Sequence, residues 1–196
     1  SNITYDVNKA EAKTEEEKWS CVGEPTEIAL KVFAYKGNAS ALVAESIENQ
    51  LVKEFPFDSS VKRMSVMYRM KNGQAILLTK GAPDNIMAMC TTIMDDSGNL
   101  QELTQDETEK LQLENEELAK QGMRVLAVSY RLLSNEEEIG SREDLESKLS
   151  FVGLIGITDP PRSDVPRSID ICHEAGITVH MVTGDQITTA TAIAKQ

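Results

Sequence analysis

Basic residues are in short supply: 20 Lys and Arg stand against 32 Asp and Glu, leaving a formal charge of −12 at pH 7. A surface of that sign repels nucleic acid and anionic membranes, so neither is expected as a partner, and an anionic ligand needs a local cluster of cations. Cysteine is scarce too. Cys21, Cys90 and Cys172 are odd in number and show no CxxC spacing, which argues against a disulfide framework or a zinc site and fits a reducing, cytosolic setting. His173 and His180 are spaced neither to each other nor to a cysteine as metal ligands are; both are read as structural and no metal site is expected. No apolar run approaches the roughly 18 residues of a membrane span and no signal peptide opens the chain, so this polypeptide is not expected to enter a membrane. The GxxxxGK[ST] phosphate loop is missing as well.

What is present suffices for a core. Hydrophobic residues are 40% of the 196, which excludes general disorder and allows one large domain, or one domain with part of another. The acid-rich first twenty residues, with Trp19, read as a loop or edge element. Pro25 near its start and Gly37 past its end frame a helix through Ile28–Ala34. A second helix is expected from about Ala39 to Lys53, with Leu42, Val43, Ile47 and Leu51 on its apolar face. Met64, Val66, Tyr68 and Met70 alternate with polar residues, Lys71-Asn72-Gly73 turns, and Ala75–Thr79 returns, which predicts a β-hairpin. Ala82-Pro83-Asp84 opens another helix, expected to carry Ile86, Met89 and Cys90, and Asp95–Asn99 is a polar turn. Thr104-Gln-Asp-Glu107 is a capping box starting a helix that runs to Gln121 and stops at Gly122. Met123–Leu132 reads as a strand, and 134–148 as a solvated insertion with one short helix.

The last 45 residues differ in kind. Phe151–Ile157 is an apolar run of buried-strand length, Val165–Ala175 is helical with Pro166 in its first turn and Gly176 after its last, and Ile177–Val182 is a second strand-like run. Strand, helix and parallel strand would place Asp159 and the Thr183-Gly184-Asp185 turn beyond the carboxyl ends of the strands, where such sheets bind ligands. Gln186–Gln196 is again helical and stops without a C-cap, so the chain is expected to be a fragment. The fold class is therefore α/β: residues 1–150 form a domain with a twisted, mainly antiparallel sheet and flanking helices, and 151–196 an incomplete Rossmann-like βαβ segment.

Six segments occur in an order that resembles P-type cation-transporting ATPases: Gly23-Glu-Pro-Thr-Glu-Ile-Ala-Leu30, Phe55–Ser65, Lys80-Gly-Ala-Pro83, Gly122-Met-Arg124, Asp159-Pro-Pro-Arg162 and Thr183-Gly-Asp185. The resemblance covers nearly the whole chain and is to the type II pumps, in wording most like fungal-type sodium or potassium efflux ATPases, with calcium pumps the near alternative. It implies a nucleotide-binding domain (1–150) and part of a haloacid-dehalogenase-like phosphorylation domain (151–196). It further implies a cytosolic region of an integral, plasma-membrane pump that binds ATP with Mg2+. Its partners would be the transmembrane, actuator and phosphorylation regions of the parent. The family's DKTGT aspartate motif and GDGxNDxxAL segment do not occur here, so this chain is expected to bind ATP without forming a phosphoenzyme.

The resemblance also implies residue roles, each with a plainer competitor. Phe57 would stack on adenine; otherwise it is a core phenylalanine. Lys80 and Gly81 would line the adenosine pocket; a surface lysine explains the same letters. Glu27 would accept from the adenine amino group, or merely favour the positive end of its helix. Lys62 and Arg124 are candidate phosphate or ribose contacts, or plain surface charges, and Met64 a pocket wall. Thr183, Gly184 and Asp185 would hold the γ-phosphate region with Asp159 and Arg162 in support, though aspartates at such places commonly cap helices. The other readings are a stand-alone phosphatase of the haloacid-dehalogenase type, which lacks its DxD or DxT segment here, and a non-catalytic interaction module with an acidic face.

Overall fold

The computed structural model describes residues 2–5, 19–37, 50–134, 139–158, 161–162, 164–183 and 187–195. The chain separates into two units, Ser1–Gln50 and Leu51–Gln196. In the first, β1 (Asn2–Tyr5) and β2 (Trp19–Val22) pair antiparallel. They are followed by α1 (Pro25–Lys36). Its start is capped by Glu24, whose carboxylate accepts from the Glu27 backbone N–H at 2.9 Å and from Thr26 Oγ1 at 2.9 Å. This satisfies one of the free amides of the first helical turn and sets negative charge on the positive end of the helix. Gly37 closes it, donating to the Phe33 carbonyl.

The second unit is built on a seven-stranded sheet of order β3-β4-β5-β8-β9-β6-β7. Its strands are β3 (Gln50–Asp58), β4 (Arg63–Arg69), β5 (Ala75–Gly81), β6 (Cys90–Met94), β7 (Leu100–Glu102), β8 (Arg124–Leu133) and β9 (Leu149–Ile157). β4 with β5, β5 with β8, β8 with β9 and β6 with β7 pair antiparallel, whereas β6 and β9 pair parallel. The expected hairpin forms as β4 and β5, its turn closed by Gly73 at φ 84° and by Asn72 Oδ1, which accepts from the Gln74 amide at 3.0 Å. The helices are α2 (Pro83–Met87), α3 (Gln105–Lys120), α4 (Arg142–Leu145), α5 (Val165–Glu174) and α6 (Ile187–Ala194). Thr104 and Glu107 make the reciprocal capping box that starts α3. Gly176 ends α5 in the left-handed conformation, with Ile177 N–H returning to the Cys172 carbonyl and Gly176 N–H to that of His173.

Strand alternation divides the sheet. On one face Ser65, Met67, Leu77, Thr79, Ala127 and Ser129 are buried. Here Met67, Ala75, Leu77, Leu133, Leu145 and Leu149 form one cluster, and Ile86, Met87, Ala127 and Phe151 a second that the partly buried Leu111 joins. Each large side chain so buried contributes about 1.5–3 kcal/mol. The other face, with Met64, Val66, Ile76, Leu78, Lys80 and Val128, is only partly covered among the described residues; Leu78 is 41% exposed.

Several expectations need correction. The helix expected from Ala39 to Lys53 falls mostly outside the described residues, and Gln50–Lys53 belong to β3, where pairing with β4 prevails over the helical spacing. The helix after Pro83 stops at Met87, and Cys90 begins β6, an element with no strong period of its own. The stretch 134–148 is not simply solvated, because Leu145 and Glu146 are buried at 1% and 2% exposure. β9 runs without a break across Ser150 and lies inside the antiparallel sheet between β8 and β6. Among the described residues Ile177–Val182 pairs with no strand, and Val182 is 94% exposed. A strand requires a neighbour's ladder, and β9, the partner expected of it, is flanked by β8 and β6.

Candidate functional site

The antiparallel pairing collects most of the candidate residues at one end of the sheet. β4 begins there, β5 ends there, β8 begins there and β9 leaves there toward Thr158. Met64 lies directly opposite Lys80, Lys80 opposite Val128, and Arg63 opposite Gly81. Met64, Lys80 and Val128 thus share the partly open face. Arg124, exposed, is on the same face four residues before Val128, or about 13 Å along the strand.

Lys62 is exposed and sits in the β3–β4 turn with φ 51°, a conformation uncommon for any residue with a side chain. Four hydrogen bonds hold the turn around it. Its N–H donates to the Asp58 carbonyl at 2.7 Å, and its own carbonyl accepts from Ala82 N–H at 3.0 Å. Asp58 Oδ1 accepts from the Ser60 amide and hydroxyl at 2.8 and 2.6 Å. Those Ser60 hydrogen bonds, helped by the Arg142 charge, hold the Asp58 carboxyl below the usual aspartate range.

Gly81 is buried for a reason internal to the protein. A Cβ there would stand 2.5 Å from the Lys62 carbonyl oxygen and 2.6 Å from Arg63 Cβ, so glycine is what lets β5 approach the start of β4. Phe57 is 60% exposed at the exit of β3. It lies one strand period beyond Phe55, whose ring packs on the buried core, so alternation does not place it on the Met64–Lys80 face. A ligand touching both must pass around the end of the sheet. Glu27 belongs to the Ser1–Gln50 unit, half-buried in the first turn of α1.

Of the phosphoryl-site candidates, Asp159, Gly184 and Asp185 lie outside the described residues. Arg162 is exposed shortly after the β9 exit, and Thr183 is exposed at the end of the stretch that follows α5. Among the described residues no group of three or more His, Cys, Asp or Glu is placed to hold a metal ion.

The feature that sequence reasoning missed lies beneath the turn. Glu146, its side chain fully buried, accepts from Arg63 Nε, from Arg142 Nε at 3.0 Å and from Ser65 Oγ at 2.6 Å. Ser65 meets Thr79 Oγ1 at 2.9 Å, and Arg142 Nη2 donates to the Arg63 carbonyl at 2.8 Å. Arg142 also lies 5.8 Å from the centre of the Phe55 ring, over which Lys53 stands at 5.1 Å. Arg142 and Glu146 stand four residues apart, but their joint contact with β4 is not announced locally, since Glu146 is 83 residues from Arg63.

A mainly antiparallel α/β sheet in an acidic chain thus carries Lys62, Lys80, Arg124 and the Phe57 ring at the end from which β9 departs. The family described as P-type ATPase, cytoplasmic domain N, matches residues 2–164, and the chain belongs to it. It is 40% identical over 188 residues to a sodium/potassium exporting P-type ATPase of Schizosaccharomyces pombe, covering 94% of this chain and 17% of that protein. It is 40% identical over 173 residues to a calcium-transporting ATPase of Bacillus subtilis, covering 88% and 19%. A sodium/potassium exporting P-type ATPase of Saccharomyces cerevisiae is 35% identical over 212 residues, covering 91% and 19%. The chain thus spans less than a fifth of the length of these relatives. No helix among the described residues is long and apolar enough to cross a membrane.

Proposed function

We propose that this chain is the ATP-holding region of a cation pump. The observation that carries the reading is the gathering of Lys62, Met64, Lys80 and Arg124 at the end of the sheet from which β9 departs toward Asp159–Arg162. The partly open apolar face gives the base and ribose a surface, with Phe57 at the strand exit as the stacking ring. Lys62 and Arg124 supply the local positive charge that a net −12 chain must concentrate to hold a triphosphate. Gly81 belongs to this pocket by keeping β5 close to Lys62. Magnesium would arrive with the nucleotide's phosphates and supply charge neutralisation there.

In the pump, the γ-phosphoryl group would pass to an aspartate carboxylate outside this chain. A new O–P bond forms as the β–γ bridge breaks and ADP leaves, and Asp159, Arg162, Thr183, Gly184 and Asp185 support that site once the domains close. We place the change from nucleotide-binding to phosphorylation domain after Ile157, where β9 ends, and the whole on the cytosolic side of a plasma-membrane pump. Sodium or potassium export is the preferred activity, with the similarity to the two yeast pumps in support. Calcium transport is the second reading, supported by the equal identity to the Bacillus subtilis protein. The test is calorimetric titration of the folded chain with ATP, beside Lys80→Ala and Phe57→Ala. Saturable binding weakened about tenfold or more in both variants is expected, equivalent to about 1.4 kcal/mol or more. A folded wild-type chain that binds no ATP at several millimolar refutes the proposal.

A further inference from the structure

Three successive carbonyls, the last two of the β3–β4 turn and the first of β4, are held. Val61 O accepts from Arg63 Nη1 and Asn85 Nδ2, both at 3.4 Å; Lys62 O accepts from Ala82 N–H; Arg63 O accepts from Arg142 Nη2. Two of the donors are guanidinium groups, and Glu146 binds both. Its buried carboxylate faces Arg63, Arg142 and Ser65, so two positive charges meet one negative charge inside the protein, with Asp58 of the turn lying near Arg142. A buried carboxylate with these partners fixes the two guanidinium planes more firmly than a neutral amide, since each bond it accepts is charge-assisted. Lys62 stands between the two anchored residues Val61 and Arg63, in a left-handed conformation that persists only where the surroundings impose it.

We infer that Glu146, acting through Arg63 and Arg142, is a positioning residue for nucleotide binding: it holds the β3–β4 turn so that Lys62 and Phe57 stand where the ligand meets them. The inference rests on the nucleotide-binding reading above. It assigns the segment Arg142–Glu146, far along the chain from Phe57 and Lys62, the role of setting ligand affinity. The carboxylate touches no nucleotide; its effect reaches the ligand only through the turn.

The experiment compares wild type, Glu146→Gln, Glu146→Asp and Arg142→Lys, measuring ATP affinity by calorimetry and backbone amide shifts by nuclear magnetic resonance in the folded chains. Glu146→Gln keeps the shape and removes the charge. It should weaken ATP binding about tenfold, the scale of one lost charge-assisted hydrogen bond. The amides of Ser59–Lys62 should move while those of α3 stay in place. Glu146→Asp keeps the charge and should restore most of the affinity, which general loss of packing would not do. Arg142→Lys keeps the charge but loses the Nη2 donor to Arg63 O, and should fall between; should Glu146→Gln fail to fold, this variant decides. Wild-type affinity in folded Glu146→Gln, or in Arg142→Lys when that variant decides, overturns the inference alone. A wild-type chain that binds no ATP overturns the nucleotide-binding reading on which it rests.

Discussion

Replacing Gly81 by alanine tests the claim that this glycine exists for a strand contact. The added Cβ would sit 2.5 Å from the Lys62 carbonyl oxygen, 2.6 Å from Arg63 Cβ and 2.9 Å from Arg63 Cα. These are backbone atoms or atoms fixed to backbone, so relief requires β4 to withdraw from β5. That movement strains the bond from Ala82 N–H to the Lys62 carbonyl, now 3.0 Å. Overpacking of this kind costs about 1–3 kcal/mol and the weakened hydrogen bond about 1 kcal/mol more, for a total of about 2–4 kcal/mol. With a urea dependence of about 2 kcal/mol/M, the unfolding midpoint should fall by about 1–2 M. Two internal comparisons guard against a general effect of added methyl groups. Gly153, in the same sheet, has nothing within 4 Å of its would-be Cβ, so Gly153→Ala should stay within about 0.5 kcal/mol of wild type. At Gly156 the nearest atom is the flexible Met123 sulfur at 2.6 Å, so that variant should fall between the two. A Gly81→Ala midpoint within about 0.3 M of wild type, or the reverse order of the three, refutes the reasoning. Retained stability with lost ATP binding would assign the glycine to the ligand instead.

Two further outcomes follow from groups whose protonation the fold shifts. Burial pushes the Cys90 thiol up to about 12 from an ordinary 9.0, and its Sγ meets the Ile86 carbonyl at 3.2 Å. The thiolate fraction at pH 8 then drops from about one in ten to about one in ten thousand, so alkylation of Cys90 should be roughly a thousandfold slower in the native chain than in urea. Peptide mapping after iodoacetamide checks this, and equal rates refute it. Hydrogen bonds from the Ser141 side chain and backbone hold the Asp144 carboxyl below its ordinary 3.8. A depressed folded value stabilises the native state above the unfolded value and is lost as pH falls through the folded one, so the support for α4 should be complete above about pH 5 and fade below 3.8. Carboxyl carbon titration should show this, and Ser141→Ala should return Asp144 toward 3.8.

How far the fold could be read from the chain depended on the range of the forces involved. α1, α3 and the β4–β5 hairpin each carry their own punctuation: Pro25 and Gly37, the Thr104–Glu107 box, and Asn72-Gly73. These act within a few residues and are visible as letters. β3, β6 and β7 were missed or misread because pairing between distant segments creates them. The helical spacing of Leu42, Val43, Ile47 and Leu51 ran past the point where β4's edge claims the chain at Gln50. Ile177–Val182 shows the converse, a strand's composition without a ladder. At the candidate site, motif order pointed to Lys62, Met64, Lys80 and Gly81, and the pairing of β4 with β5 brings these four together. Glu146 and Arg142 were illegible, since a buried carboxylate looks in sequence like one acid among 32.

The position of β9 in the middle of the sheet has a consequence for the chain as it is made. The hairpin of β6 and β7 joins the rest of the sheet through β9, the strand that pairs with β6. About 55 residues separate the end of β6 from the start of β9, and synthesis at about 5–20 residues per second needs roughly 3–11 s to cover them. During that interval β4, β5 and β8 can assemble while β6 keeps an unpaired edge and Ile86 and Met87 lack the ring of Phe151 that completes their cluster. β9, the last strand of this sheet to be made, is therefore its keystone, and until it arrives the β6 edge and the Ile86–Met87 cluster are open to mispairing.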